Sequence, residues 1–373
     1  MAIRQIISAP PVQVPLVPLR PSRRASVSAF GVSAFRLYDH SSLNKLELAV
    51  KRIVALLLFL LAGCSPTGSF KVTAVPADQT IKERVVYRAP GLVTDRIAVV
   101  EISGILMNGH VPGLLSEGEN PVSYAVEKLV AAENDPRVKA VVLRINSPGG
   151  SVTASDSLYQ EVLAFKCRTR KPVVAYFQDV AASGAFYTAC ACDEIVAQRT
   201  SVTGSIGVVM QMVDLSGLMA KFGVCADAIT SGAFKDAGSP FREMKPEERK
   251  LFQGIVNSFY NQFVDVVAAG RPNLSRSQIL TLADGRVYTA TQALEAGLID
   301  RIATFQEAIE VAEKRAGIKS AHVVMYHRPL AWTPNIYAST PAGTPQTINL
   351  FNFELPQLWT SRPQFMYIWQ IEG

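Results

Sequence analysis

From residue 96 onwards, apolar runs of strand length alternate with stretches patterned as helices. That alternation limits the fold more than any bulk property does. Residues 97–107, 138–145, 172–177, 194–197, 207–213 and 224–230 read as strands, most of them apolar enough to be buried. Between and after them, residues 122–134, 151–167, 245–270, 290–296 and 304–316 read as helices. Ser151 or Thr153 stands where a cap is wanted, and Pro246-Glu247-Glu248 supplies the proline and acids favoured in a first turn. Strands interleaved with helices predict an α/β fold with helices covering a sheet. No internal repeat is present, so a single domain is expected.

Composition excludes several function classes. A hydrophobic content of 49% with 18% charged residues describes a filled core, not a disordered chain. The net charge of +6 comes from the N-terminal segment, and no basic helix or basic–aromatic interleaving points to nucleic acid. Five cysteines (Cys64, Cys167, Cys190, Cys192, Cys225) are too few for a disulfide framework in a chain this long. Cys190 and Cys192 have no histidine or second cysteine pair nearby, so they read as core residues and no metal site is expected.

Cys64 differs from the other four. Lys51-Arg52 precede an apolar run over residues 53–62, which ends in Leu61-Ala62-Gly63-Cys64-Ser65. Such a run is too short to span a bilayer and has the layout of a secretory signal. It resembles a bacterial lipoprotein signal, which implies cleavage before Cys64, lipid attachment there and a place in the cell envelope outside the cytoplasm. The alternative is a buried helix with an incidental cysteine. The expected organisation is an extension over 1–45 (a misassigned start or a transit-like segment), a signal over 46–63 and a polar tether over 64–95. A catalytic domain follows over 96–328, then an aromatic, proline-rich tail over 329–373. The tail carries Trp332, Trp359, Phe365, Tyr367 and Trp369, and an apolar terminus of that kind is expected to pack on the domain or on a neighbour.

Two residues stand out as chemistry. Ser183 lies in Asp179-Val180-Ala181-Ala182-Ser183-Gly184, just after a buried run, and Lys235 lies in Ser231-Gly232-Ala233-Phe234-Lys235-Asp236. A serine hydroxyl needs a base to become a nucleophile. The four histidines are His40, His110, His322 and His327, so none falls between positions 111 and 321; His110 reads as a surface or hinge residue. Lysine is then the natural base for Ser183, as in Ser-Lys variants of the triad. The plain alternatives are that Ser183 caps the following helix and that Lys235 is a solvated loop lysine.

Four segments in order, Asn146-Ser147-Pro148-Gly149-Gly150, Ala182-Ser183-Gly184, Thr203-Gly204-Ser205-Ile206-Gly207 and Ser231-Gly232-Ala233-Phe234-Lys235, resemble the signal peptide peptidase A family. Its members are serine proteases with a Ser-Lys dyad on a crotonase-like, Clp protease-like fold of repeated ββα-type units. The 52 positions between Ser183 and Lys235 match its short, single-copy bacterial members, and the likeness spans about residues 96–317. Ala185-Phe186 stand where the family often has Gly-Gly or Gly-Tyr after the serine, which is expected to alter packing, not chemistry.

The resemblance implies that Ser183 is the nucleophile and Lys235 the general base, with Ser205 orienting the lysine. Ser205 otherwise reads as a turn serine. Gly149 and Gly150 end a buried strand where glycine lets a backbone N–H approach a substrate carbonyl. The resemblance makes Gly150 the preferred oxyanion donor, beside the backbone N–H of Ser183. It also implies no cofactor, peptide substrates such as signal-peptide remnants, and a homo-oligomer such as an octamer in which serine and lysine meet across a subunit boundary. The competing expectations are an acyl-coenzyme A enzyme and an inactive scaffold on the same fold.

Overall fold

The structure, a computed structural model, describes residues 80–109, 120–328 and 365–369. Its organising element is β3 (Val138–Ser147), whose Val138, Val141, Val142, Leu143 and Ile145 are fully buried. A strand buried on both faces needs a parallel sheet covered on both sides, and each such side chain contributes about 1.5–3 kcal/mol on burial. The main sheet has the spatial order β1 (Lys82–Tyr87), β11 (His322–His327), β2 (Arg96–Ser103), β3, β5 (Val173–Ala182), β6 (Glu194–Ala197) and β10 (Arg301–Ile302). Its pairings are parallel except at the β1 edge. β7 (Val202–Gly204) continues alongside the end of β5 and pairs antiparallel with β9 (Val287–Thr289).

The period of two along each strand divides the core. Ala98, Val100, Val141, Leu143 and Ile145 face one layer, with α1 (Pro121–Asn134), α2 (Val152–Thr169), α3 (Gly184–Ala189) and α5 (Pro246–Gly270). Ile97, Val99, Ala140, Val142 and Val174 face the other, covered by Phe305, Ala308, Ile309 and Ala312 of α8 (Phe305–Arg315). Between these helices α4 (Ser216–Lys221), α6 (Arg276–Leu282) and α7 (Ala290–Glu295) complete the set among the described residues. Ser151 caps α2, its hydroxyl accepting the Ala154 N–H at 3.2 Å, and Arg170 ends it in the left-handed region with its N–H on the Lys166 carbonyl. The expected α/β architecture is therefore present.

Several expectations are corrected. β2 stops at Ser103 because Gly104 turns at φ 72°, leaving Leu106 with one bridge, to Gly150. The strand expected over 207–213 shrinks to β8 (Val209–Met210). The strand expected over 224–230 does not form: those residues, Val224 and Ile229 included, are exposed and have no sheet edge to join. The expected tether over 64–95 contains β1, which pairs antiparallel with β11. Residues 1–79, with Cys64, and most of the tail lie outside the described residues.

A second sheet forms at the carboxyl end of β3. It consists of β4 (Gly149–Ser151), β12 (Phe365–Ile368) and β8, with β12 in the middle and antiparallel to both neighbours.

Candidate active site

β5 delivers Ser183. Its last residue, Ala182, pairs with Gly204 of β7, and the Ser183 N–H donates to the Gly204 carbonyl at 2.7 Å. The chain then turns into α3 with Ser183 at φ 56°, ψ −117°. A non-glycine residue held there stores about 1–3 kcal/mol, so the surrounding structure must enforce it. Gly184 allows the turn to seat: a Cβ there would stand 2.1 Å from Ser155 Oγ on α2. A sharp strand-to-helix turn is a known means of presenting a serine nucleophile.

The Ser183 side chain does not cap α3, although it occupies the N-cap position. Its Oγ is buried and has no hydrogen-bond partner among the described residues. A stranded buried hydroxyl costs about 1–3 kcal/mol. Capping therefore does not account for this serine.

The next residue along β7 is Ser205, also at positive φ (50°), buried, with its N–H on the Arg286 carbonyl at 2.8 Å. The Ala182–Gly204 register places Ser183 and Ser205 just past the same rung of the ladder, so two serines far apart in sequence come side by side.

Gly149 and Gly150 flank the same place. Gly149 sits at φ 98°, its N–H on Ser147 Oγ at 3.1 Å and its carbonyl receiving the Leu106 N–H at 2.9 Å. A Cβ on Gly149 would lie 2.7 Å from the Gly184 nitrogen, and one on Gly150 would lie 1.9 Å from the Leu106 carbonyl oxygen. Neither position tolerates a side chain. The expected oxyanion role of the Ser183 N–H meets a competing bond, since that group already serves Gly204. The Gly184 N–H, opening α3 beside Gly149, is a further candidate donor that sequence reasoning missed. Only the known habit of strand–serine–helix turns to use the residue after the nucleophile could have indicated it.

Lys235 is not brought to Ser183. It is exposed, in a turn whose N–H bonds the Gly232 carbonyl, and its ammonium has no hydrogen bond or ion pair among the described residues. Its neighbour Asp236 is engaged elsewhere: Arg242 donates to that carboxylate at 2.8 Å and also holds the buried Glu248 at 2.5 Å. The Arg242 hydrogen bond holds the Asp236 carboxyl below the usual range.

One turn along α3 from the serine is an aromatic cluster. Tyr187 on α3 donates to Asp156 Oδ1 at 2.7 Å, receives Gln262 Nε2 at 3.1 Å and packs edge-on against Phe263 at 5.1 Å. Burial keeps its phenol un-ionised. Cys190 and Cys192 are buried free thiols in the core, as expected, and burial pushes Cys190 up to about 12. No group of residues suited to a metal ion occurs among the described residues.

Comparison with known proteins places this geometry in a family. The model of peptidase family S49 matches residues 166–319, a stretch enclosing Ser183, Ser205 and Lys235. The Clp protease model matches residues 113–213, which enclose the two glycines and both serines. An Enterococcus faecium protein provisionally named signal peptide peptidase SppA is 34% identical over 259 residues, 69% of this chain and 72% of that protein. The chloroplastic serine protease SPPA of Arabidopsis thaliana is 34% identical over 263 residues, 68% of this chain and 38% of its own length. Protease 4 of Haemophilus influenzae is 33% identical over 223 residues, 60% of this chain and 35% of the relative. With a buried, strained, non-capping serine inside the matched region, this chain belongs to peptidase family S49 and is a serine peptidase.

Proposed function

We propose that this protein is a membrane-associated serine endopeptidase acting on signal-peptide remnants or other apolar peptides, with Ser183 as nucleophile and Lys235 as general base. The observation that carries the reading is the buried Ser183 Oγ, held on a strained turn with no hydrogen-bond partner among the described residues. In the reaction Ser183 Oγ bonds the scissile carbonyl carbon while its proton passes to a neutral Lys235 Nζ. The tetrahedral oxyanion takes hydrogen bonds from the Gly150 and Gly184 N–H groups. Collapse breaks the C–N bond, and the departing amine takes the proton back from Lys235. Water then repeats the sequence on the ester.

A lysine amine is a base only in its neutral form, which removal from water favours. Alone the chain leaves Lys235 exposed, on a segment that also exposes Val213, Leu218, Phe222, Ile229, Phe234 and Phe241. Apolar surface of that extent is the kind that packs on another subunit. This supports a homo-oligomer in which a neighbouring copy supplies the lysine to each serine. Mixing tests it. Ser183→Ala and Lys235→Ala proteins are each expected to be inactive on apolar peptides, and co-assembly of the two restores sites that pair an intact serine with an intact lysine. An active Lys235→Ala protein refutes the base; two inactive variants without recovery on mixing refute the shared site.

Membrane attachment is proposed through lipid on Cys64. Cys64→Ser is expected to release the protein from the membrane fraction; retention there refutes the anchor.

A further inference from the structure

The segment that leads to Lys235 runs over the surface. Every residue from 221 to 235 is exposed, and partial burial resumes at Asp236. There the chain winds through tight turns, the Ala237 N–H donating to the Phe234 carbonyl at 3.2 Å and the Ser239 N–H to the Asp236 carbonyl at 3.0 Å. Gly238, at φ 78°, lies against Met212 and Phe252, where a Cβ would come to 3.2 and 3.3 Å. Apolar contact of this kind is non-directional and does not by itself orient the turn.

Arg242 supplies the direction. A guanidinium carries five N–H donors in a rigid fork, and all five are matched here. Nε donates to Asp236 Oδ2 at 2.8 Å, and Nη2 to the Asp236 carbonyl at 3.1 Å. Nη1 reaches the Glu243 carbonyl at 3.0 Å. The two terminal nitrogens also grip Glu248, Nη1 on Oε2 at 3.0 Å and Nη2 on Oε1 at 2.5 Å. Glu248 is fully buried in the first turn of α5, and its Oε2 receives the Lys245 N–H at 3.3 Å. Further along, α5 sends Phe263, Val264 and Val267 into the core. A series of directional bonds therefore runs from a core helix, through Glu248 and Arg242, to the carboxylate and carbonyl of the residue next to Lys235. It also occupies the Asp236 carboxylate, which would otherwise be an ion-pair partner one residue from the amine.

We propose that Arg242, seated on Glu248, is a positioning residue for the general base: it fixes the turn from which Lys235 is presented to the serine. The proposal rests on the reading of Lys235 as that base. Lysine at position 242 would keep the charge but lose the fork that spans both carboxylates. A displacement of about 1 Å in a reacting group costs about a hundredfold in rate.

The test measures hydrolysis of an apolar peptide by the full chain, Arg242→Ala, Arg242→Lys and Lys235→Ala, per mole of folded, equally assembled protein. Both Arg242 variants are expected to lose about a hundredfold in kcat with KM unchanged, the mark of an interaction made only in the transition state. A raised KM at full kcat overturns the proposal, as does full activity of either variant. If Arg242→Ala does not fold, Arg242→Lys carries the test. Mixing then separates positioning from a fold defect. Ser183→Ala chains supply only the lysine, and Lys235→Ala chains only the serine. Added to the Ser183→Ala chain, Arg242→Ala should lower the recovered activity about a hundredfold; added to the Lys235→Ala chain, it should not. Equal losses from the two placements overturn the proposal, because misfolding does not distinguish the chains. If mixing recovers nothing even with Arg242 intact, the shared site fails and the kcat–KM split decides. An active Lys235→Ala protein refutes the base and the proposal with it. An inactive Lys235→Ala protein beside a fully active Arg242→Ala protein leaves the base standing and refutes the proposal alone.

Discussion

Ser183 should be a stability liability, and the structure says by how much. Ser183→Ala removes a buried hydroxyl that has no partner among the described residues, and so relieves a desolvation cost of about 1–3 kcal/mol. It leaves the backbone strain in place, because alanine keeps the Cβ that disfavours φ 56°. Ser183→Gly relieves that strain too, worth about 1–3 kcal/mol, less about 0.4–1 kcal/mol for the greater freedom of glycine in the unfolded chain. The expected order of stability is glycine, then alanine, then serine. For a domain of this size each kcal/mol raises Tm by about 2–4 °C. Thermal unfolding of the three proteins, followed by circular dichroism beside a peptidase assay, measures both sides: stability should rise as activity vanishes. An alanine variant no more stable than wild type would mean that the hydroxyl has a partner in the folded protein. The hydroxyl would then not be held free for chemistry. A glycine variant below alanine would show that the turn is not strained.

Further predictions concern the surroundings. Gly150→Ala would force a Cβ to 1.9 Å from the Leu106 carbonyl, so it should abolish activity and lower stability by about 3 kcal/mol or more, read by urea unfolding. Lys235→Ala should abolish hydrolysis while changing stability by less than about 0.5 kcal/mol, because the side chain is exposed within the chain. Arg242→Ala removes the cation that Asp236 and Glu248 share, which should lower Tm, read by thermal unfolding. The same cluster sets a pH dependence. Arg242 hydrogen bonds hold the Asp236 and Glu248 carboxyls below their ordinary values of 3.8 and 4.5. Their stabilisation is complete above those values and is lost as pH falls through the lower, folded-state values. The Tm advantage of wild type over Arg242→Ala should therefore be flat near neutrality and shrink in acid, and an advantage that grows in acid would refute the assignment.

The elements legible in the sequence were those whose local pattern and burial agree. β3 and β5 begin as runs of β-branched and apolar residues, the composition of a strand buried on both faces, and α2 begins at the Ser151 cap where a helix start was expected. Short strands were harder to read. Residues 224–230 carry strand-forming residues yet stay exposed, while Phe365–Ile368 lies in a tail with no such regularity and is nonetheless central in a sheet. Pairing depends on a partner edge, and an edge is not a property of the segment itself.

The site divides along the same line. The sequence by itself determined the chemical inventory: a serine after a buried strand, glycines at a strand end, a lysine 52 positions on and no histidine between. Those follow from residue identity and order alone. Only the tertiary structure decided the φ of Ser183, the engagement of its N–H by Gly204, the exposure of Lys235 within one chain and the seat of Tyr367 against Gly150. Each of these is a relation between segments far apart in the chain. Such relations are set by which hydrogen-bonding edges and apolar faces remain open once the sheet has assembled, and no single segment contains that information.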